Sequence, residues 1–100
     1  MILVRDVFRL RFGTAKEARA LLKPRAEIMR RAGLAPDRQL MDLAGPYYTL
    51  VIESSHASVA AWESALGKAH ADPEWSGWFE KFKPLVESGY REIFTILDVK

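Results

Sequence analysis

The chain has no cysteine among its 100 residues. That single absence removes disulfides, thiolate nucleophiles and cysteine-based metal sites together. Histidine is almost as scarce. His56 and His70 lie far apart with no carboxylate pair or cysteine beside them, so no metal site is expected. Charge of one sign never accumulates either: fifteen Lys and Arg are interspersed with thirteen Asp and Glu, for a net charge of +2. Such a balance implies no nucleic-acid partner. No apolar stretch approaches the roughly 20 residues that span a bilayer. Met1 leads directly into "ILVRDVFRLRF", without the basic, apolar, small-residue order of a secretion signal, so a cytoplasmic location is expected. Gly13, Gly33, Gly45, Gly67, Gly77 and Gly89 are isolated, and no GxGxxG, P-loop, HExxH or GxSxG occurs. Nucleotide-dependent and serine-hydrolase chemistries are thereby disfavoured, and no cofactor is expected.

What the chain does contain is strong periodicity within a hydrophobic fraction of 49%. In residues 2–12 one parity reads Ile2, Val4, Asp6, Phe8, Leu10, Phe12, the period of two that marks a strand with one apolar face. Thr14 and Glu17 match a capping box, and Ala18, Leu21, Leu22, Ile28, Met29 and Ala32 predict a helix over about 15–32, bent at Pro24 and stopped at Gly33. "RQLMDLAGPYYTLVIE" reads as two strands joined at Gly45-Pro46. A second helix is expected from about Ser55, with Val59, Trp62, Leu66 and Ala69 on its apolar stripe. Asp72-Pro73 signals a short third helix on which Trp75, Trp78, Phe79 and Phe82 share one side at i, i+3, i+4 and i+7. After Pro84 and Gly89, "YREIFTIL" is the last strand.

The order β-α-β-β-α-(α)-β over residues 1–100 predicts one α+β domain of ferredoxin-like, split βαβ type: a four-stranded antiparallel sheet with its helices on one face. The opposite face of such a sheet is polar unless something covers it. Here Tyr47, Thr49 and Val51 alternate with Tyr48, Leu50 and Ile52, and the last strand is apolar on both sides. A second copy of the chain, packed sheet against sheet about a two-fold axis, is the expected cover, and hence a homodimer.

The segments "GPYYTLVIESS" and "DPEWSGWFEKFKPLVESGYREIFTIL" resemble the dimeric α+β barrel superfamily, and within it the NIPSNAP-like proteins. The resemblance implies the dimeric α/β-barrel architecture. It carries no single reaction, because the superfamily includes haem-degrading and antibiotic-biosynthesis monooxygenases, dismutases and stress-responsive proteins. Haem-degrading relatives use an asparagine on the first strand with a tryptophan and a histidine on the helix before the last strand. Asp6, Trp62 and His70 occupy comparable places here, with a carboxylate where the amide would be.

Four residues are candidates for binding a ligand. Asp6 interrupts an apolar strand face, where an ionised carboxylate is costly without a partner; Arg5, Arg9 and Arg91 are the partners within sequence reach. His70 ends the second helix and can exchange a proton near neutrality. Trp75 belongs to the aromatic side of the third helix, which is read first as core and second as a lid over a flat ligand. Tyr48 offers a phenol from the third strand. His56, beside serines at the expected helix start, reads as solvated. The function expected is a small dimeric protein that binds a small hydrophobic or aromatic ligand between sheet and helices. The alternative is a cofactor-independent monooxygenase-like enzyme working through Asp6, His70 and a tyrosine, and a purely structural interaction module is third.

Overall fold

Alternation carries the first strand, β1, from Ile2 to Leu10. The computed structural model describes residues 1–98. A seventeen-residue helix, α1 (Ala15–Arg31), follows, and Pro24 lies inside it without ending it. Strands β2 (Arg38–Met41) and β3 (Thr49–His56) flank the Gly45-Pro46 turn. Two helices, α2 (Val59–His70) and α3 (Trp75–Phe82), lead through a short 3₁₀ turn at Lys83–Leu85 into β4 (Val86–Thr95). The strands form one sheet in the order β2-β3-β1-β4, with every neighbouring pair antiparallel. This is the expected ferredoxin-like α+β arrangement, with β1 and β3 at its centre.

One sheet face meets the helices. Leu10 of β1 and Leu50 and Ile52 of β3 are buried against Ala18, Leu22 and Ile28 of α1, together with Trp78, Phe82 and Leu85. The other face is open and mixed. Val7 and Val51 are nearly covered, whereas Leu40, Tyr90 and Phe94 are exposed. At its centre Arg5 Nε donates to Glu53 Oε2 at 3.1 Å and Arg5 Nη1 to Glu92 Oε1 at 2.9 Å, while Arg38 Nη2 donates to Glu53 Oε1 at 2.6 Å. Glu53 is only 5% exposed. The Arg38 hydrogen bond, supported by Arg5, holds its carboxyl below the usual range.

Several local expectations are corrected. Thr14 makes no side-chain cap; its hydroxyl donates instead to the carbonyls of Arg11, at 2.7 Å, and Leu85, tying the start of α1 to the turn before β4. Strand β3 starts at Thr49 rather than at Tyr47 because Tyr48 takes a left-handed conformation (φ 58°), which no extended strand tolerates. Helix α2 is capped by Ser58, whose Oγ accepts from the Ala61 amide at 3.1 Å, not by Ser55. Asp72 does not cap α3 directly. It accepts from the Glu74 amide and from Arg31, fastening the end of α1 to the turn that introduces α3. Gly89 is not a break before β4 but lies within it. A Cβ there would stand 2.9 Å from the Val7 carbonyl oxygen and 3.2 Å from the Phe8 ring, a backbone approach only glycine allows. His56 is not solvated: it is the last residue of β3, 9% exposed, with Nε2 2.9 Å from Ser54 Oγ.

The aromatic side of α3 divides. Trp78 and Phe82 are buried, Trp75 is partly buried, and Phe79 is 39% exposed. Phe82→Ala is therefore expected to cost about 3–5 kcal/mol, and Phe79→Ala only about 1 kcal/mol. Paired urea melts check the contrast; equal losses would show that the α3 face is uniformly core.

His56 generates a pH dependence. Burial pushes its imidazole below the ordinary value. As pH falls, the unfolded chain therefore takes up this proton before the folded one does, so folding stability drops below about pH 6.5. Melts at pH 7.5 and 5.5 should show the drop, and His56→Gln should reduce it. An identical acid loss in the variant would assign the effect to other groups.

Candidate functional site

The antiparallel register sets Arg91 of β4 directly opposite Asp6 of β1 on the helix-facing side of the sheet. The two form an ion pair, Arg91 Nε to Asp6 Oδ1 at 2.6 Å, with the Asp6 side chain 14% exposed. Of the three arginines within sequence reach, Arg91 is thus the partner. Arg5 faces the open side of the sheet in the Glu53 and Glu92 network. Above the pair, the Arg91 guanidinium lies 5.0 Å from the ring centroid of Trp62 on α2. Asp6 and Arg91 form the floor of a cavity of about 210 Å³ between the sheet and all three helices.

Aromatic rings form most of the walls. His70, the last residue of α2, packs on Trp75 with centroids 4.8 Å apart. Trp75 packs on Trp78 and on Phe79, Trp78 stacks on Phe82 at 4.8 Å, and Phe82 meets Phe8 of β1 edge-on at 5.2 Å. All of these rings and Trp62 line the cavity. The Trp78 indole donates to the Leu21 carbonyl at 2.8 Å, in the turn of α1 that Pro24 deprives of an amide donor. This bond fixes the middle of the aromatic row against α1. Met29 of α1 and Leu34 just beyond it close the apolar side, and Ser54 of β3 adds a hydroxyl.

Arg25, on α1 between Leu22 and Met29, also lines the cavity. It is 9% exposed. Burial, with the Arg91 charge adding to it and Asp6 opposing, lowers its pKa from the ordinary arginine value.

Of the four residues singled out in the sequence, the structure brings three together: Asp6, His70 and Trp75 line this one cavity. Tyr48 does not join them. Its left-handed backbone, set by the β2–β3 connection, turns its ring to Phe12, 4.9 Å away, so its candidacy for this site is withdrawn. Sequence reading missed Arg25. The signal was present, because 25 falls at i+3 from Leu22 and i−4 from Met29, on the apolar stripe of α1 where a charge is out of place. Among the described residues, no group of three or more His, Asp or Glu is placed to hold a metal ion. No described helix is long and apolar enough to cross a membrane.

No family model matches this chain, and no curated protein matches it in sequence. Solved structures do match it closely in shape. A NIPSNAP family protein from Agrobacterium tumefaciens strain C58 is 20% identical, with a TM-score of 0.90 over 97% of this chain and 93% of its own. An uncharacterised NIPSNAP domain protein from Burkholderia xenovorans is 13% identical, with a TM-score of 0.89 over 97% and 95% of the two chains. An antibiotic biosynthesis monooxygenase, 15% identical, covers 98% of this chain and 100% of its own at a lower TM-score of 0.74. The NIPSNAP resemblance seen in the sequence is thus met by the structural neighbours: the chain has the fold of NIPSNAP family proteins, a ferredoxin-like α+β fold that antibiotic biosynthesis monooxygenases share.

Proposed function

We propose that this protein binds a small hydrophobic or aromatic molecule in the cavity between sheet and helices. The observation that carries the proposal is the cavity itself, walled by six phenylalanine and tryptophan rings and floored by one ion pair. Such a concave, mostly aromatic site with few polar groups is the usual form of a small-molecule pocket. Its volume of about 210 Å³ lies at the small end, since a cavity of about 150 Å³ suffices for benzene. Trp75 and Trp62 supply flat contacts, His70 a polar edge, and Asp6 with Arg91 the polar floor. A catalytic reading with Asp6 as base is weakened by the ion pair, because Arg91 already occupies Oδ1. His70, free of hydrogen bonds among the described residues, is then the remaining proton acceptor for a monooxygenase-like alternative.

Indole serves as a neutral probe. It should perturb the indole N–H resonances of Trp62 and Trp75 in proton–nitrogen NMR while leaving the Tyr90 amide on the open sheet face unmoved. Saturable shifts confined to the open face, or none at all, would refute the pocket. A ligand recovered chemically unchanged after incubation under air distinguishes binding from turnover.

The protein acts, on this proposal, as a homodimer joined through the open sheet face. The support is the composition of that face: exposed Leu40, Tyr90 and Phe94 surround two arginines and two glutamates, Arg5, Arg38, Glu53 and Glu92. Equal numbers of both signs, paired within the chain, leave the patch without net charge, so two identical copies can meet there about a two-fold axis without like-charge repulsion. Light scattering at micromolar concentration should report about twice 11.4 kDa. Phe94→Glu should shift the protein to monomer with its far-UV spectrum retained, since Phe94 is 48% exposed in the single chain. Val51, already 7% exposed there, is a poorer test site because a charge would damage the monomer too. A wild-type protein monomeric at 100 micromolar would end the dimer proposal. The expected cytoplasmic location belongs to the same proposal and rests on the sequence alone.

A further inference from the structure

Arg25 stands out from the other arginines of the protein. Arg5, Arg30, Arg31, Arg38 and Arg91 each make an ion pair with a carboxylate, Arg11 donates to the Pro84 carbonyl, and Arg9 and Arg19 are exposed to solvent. Arg25 is the most deeply buried of them, yet it makes no ion pair and no side-chain hydrogen bond among the described residues. A guanidinium carries five N–H donors and no acceptor, and it stays protonated at any physiological pH. Among the described residues no fully buried side-chain nitrogen lacks a partner, so the unpaired Arg25 nitrogens reach solvent in the cavity they line, and displacing that solvent without supplying an anion is strongly unfavourable. The one carboxylate whose charge bears on it, Asp6, is already held at 2.6 Å by Arg91.

The cavity therefore has a definite charge. Its ionisable lining groups are Asp6, Arg25, His70 and Arg91. Two guanidinium groups against one carboxylate leave one net positive charge when His70 is neutral. Around that charge are aromatic walls, Phe8, Trp62, Trp75, Trp78, Phe79 and Phe82, and a volume of about 210 Å³ that admits little more than one ring and a short substituent.

Taking the ligand-binding reading above as its basis, we infer that the natural ligand of the cavity is a small aromatic carboxylate, whose carboxylate pairs with Arg25 while its ring lies among the tryptophans. The planar fork of a guanidinium matches a carboxylate through two parallel hydrogen bonds, which makes the pair both strong and directional. A phosphate is a poorer fit, because its doubly charged form needs more donors than the one unpaired guanidinium and leaves the aromatic walls unused. The ion pair on the floor keeps Arg91 from competing for the same carboxylate. Asp6 thus acts as a positioning residue that directs the ligand's charge to α1.

Titration calorimetry of the full-length protein, with quenching of its tryptophans as a second signal, tests this with benzoate and phenylacetate against their neutral amides, benzamide and phenylacetamide. The carboxylates should bind at least about tenfold more tightly than the amides, the size of one charge-assisted hydrogen-bonded pair. Arg25→Gln should abolish that preference while the amides still bind. Asp6→Asn should act in the opposite direction and strengthen carboxylate binding, since it removes the negative charge of the cavity. Should Arg25→Gln fail to fold, Arg25→Lys and the wild-type comparison of acid with amide decide the matter, with lysine retaining only part of the preference. Equal binding of acids and amides by the wild type overturns the carboxylate assignment and leaves the aromatic pocket standing. Binding of neither class at millimolar concentration overturns both. Tight binding of inorganic phosphate with no binding of benzoate would also overturn the carboxylate assignment.

Discussion

The contact on which most of the molecule depends is the crossing of β1 and β4 at Gly89. Opposite Phe8, the β4 backbone comes so close to β1 that a Cβ would sit 2.9 Å from the Val7 carbonyl oxygen. Only one registry of the two strands places a glycine there. With Gly89 against Phe8, alternation sets Arg91 against Asp6 on the helix side and Glu92 against Arg5 on the open side. A slip of one residue would exchange the faces of the whole strand. It would carry Arg91 away from the cavity floor and turn Glu92 into it. The glycine thus fixes, from a position with no functional group of its own, which charges meet which.

From that register follows the electrostatic character of the cavity. Because Asp6 is matched by the residue directly opposite, Arg25 on α1 makes no ion pair with the strands, and the Asp6 charge that reaches it is opposed by that of Arg91. Aromatic walls raise the consequence, since a low-polarity surround strengthens each remaining electrostatic interaction and penalises an unpaired one. The same surround provides contacts to a ring through area and quadrupole. On the binding proposal, one unmatched guanidinium and a row of indoles would select on two independent properties, charge and flatness. An apolar pocket alone selects only on size.

The elements were legible in the sequence where their period was unambiguous. The alternation of residues 2–10 gave β1, and the spacing of Ala18, Leu22, Ile28 and Met29 gave α1 across its proline, because tertiary packing of a continuous stripe outweighs one lost amide donor. Boundaries were less legible. Ser55 and Ser58 are equivalent as letters, and only the extension of β3 to His56 decides which of them caps α2. Gly89 looked like punctuation because a glycine's need for close backbone approach is invisible without the neighbouring strand. At the site, Asp6 was legible as a charge on an apolar parity and Arg25 was not, although both break a hydrophobic pattern. The difference is that arginine's long stem routinely reaches solvent from an apolar stripe, so that its burial at position 25 depends on helices α2 and α3 closing over it.

The two faces of the sheet divide their tasks along a single strand. Asp6 turns toward the cavity, while its neighbours Arg5 and Val7 turn toward the open face. Each side of β1 carries its own ion pairs: Asp6 with Arg91 on one, Arg5 with Glu53 and Glu92 on the other. Because the strand backbone is pinned on both edges by β3 and β4, a charge change on one face has little freedom to be absorbed by a shift of register. It must be met by side chains on that face. Glu53 shows the consequence on the open side, where it has drawn two arginines, one from each neighbouring strand. On the cavity side Asp6 has drawn only one. The sheet thus finishes its electrostatic matching on the open face and leaves it one anion short under the helices, which is the place where a small molecule can supply it.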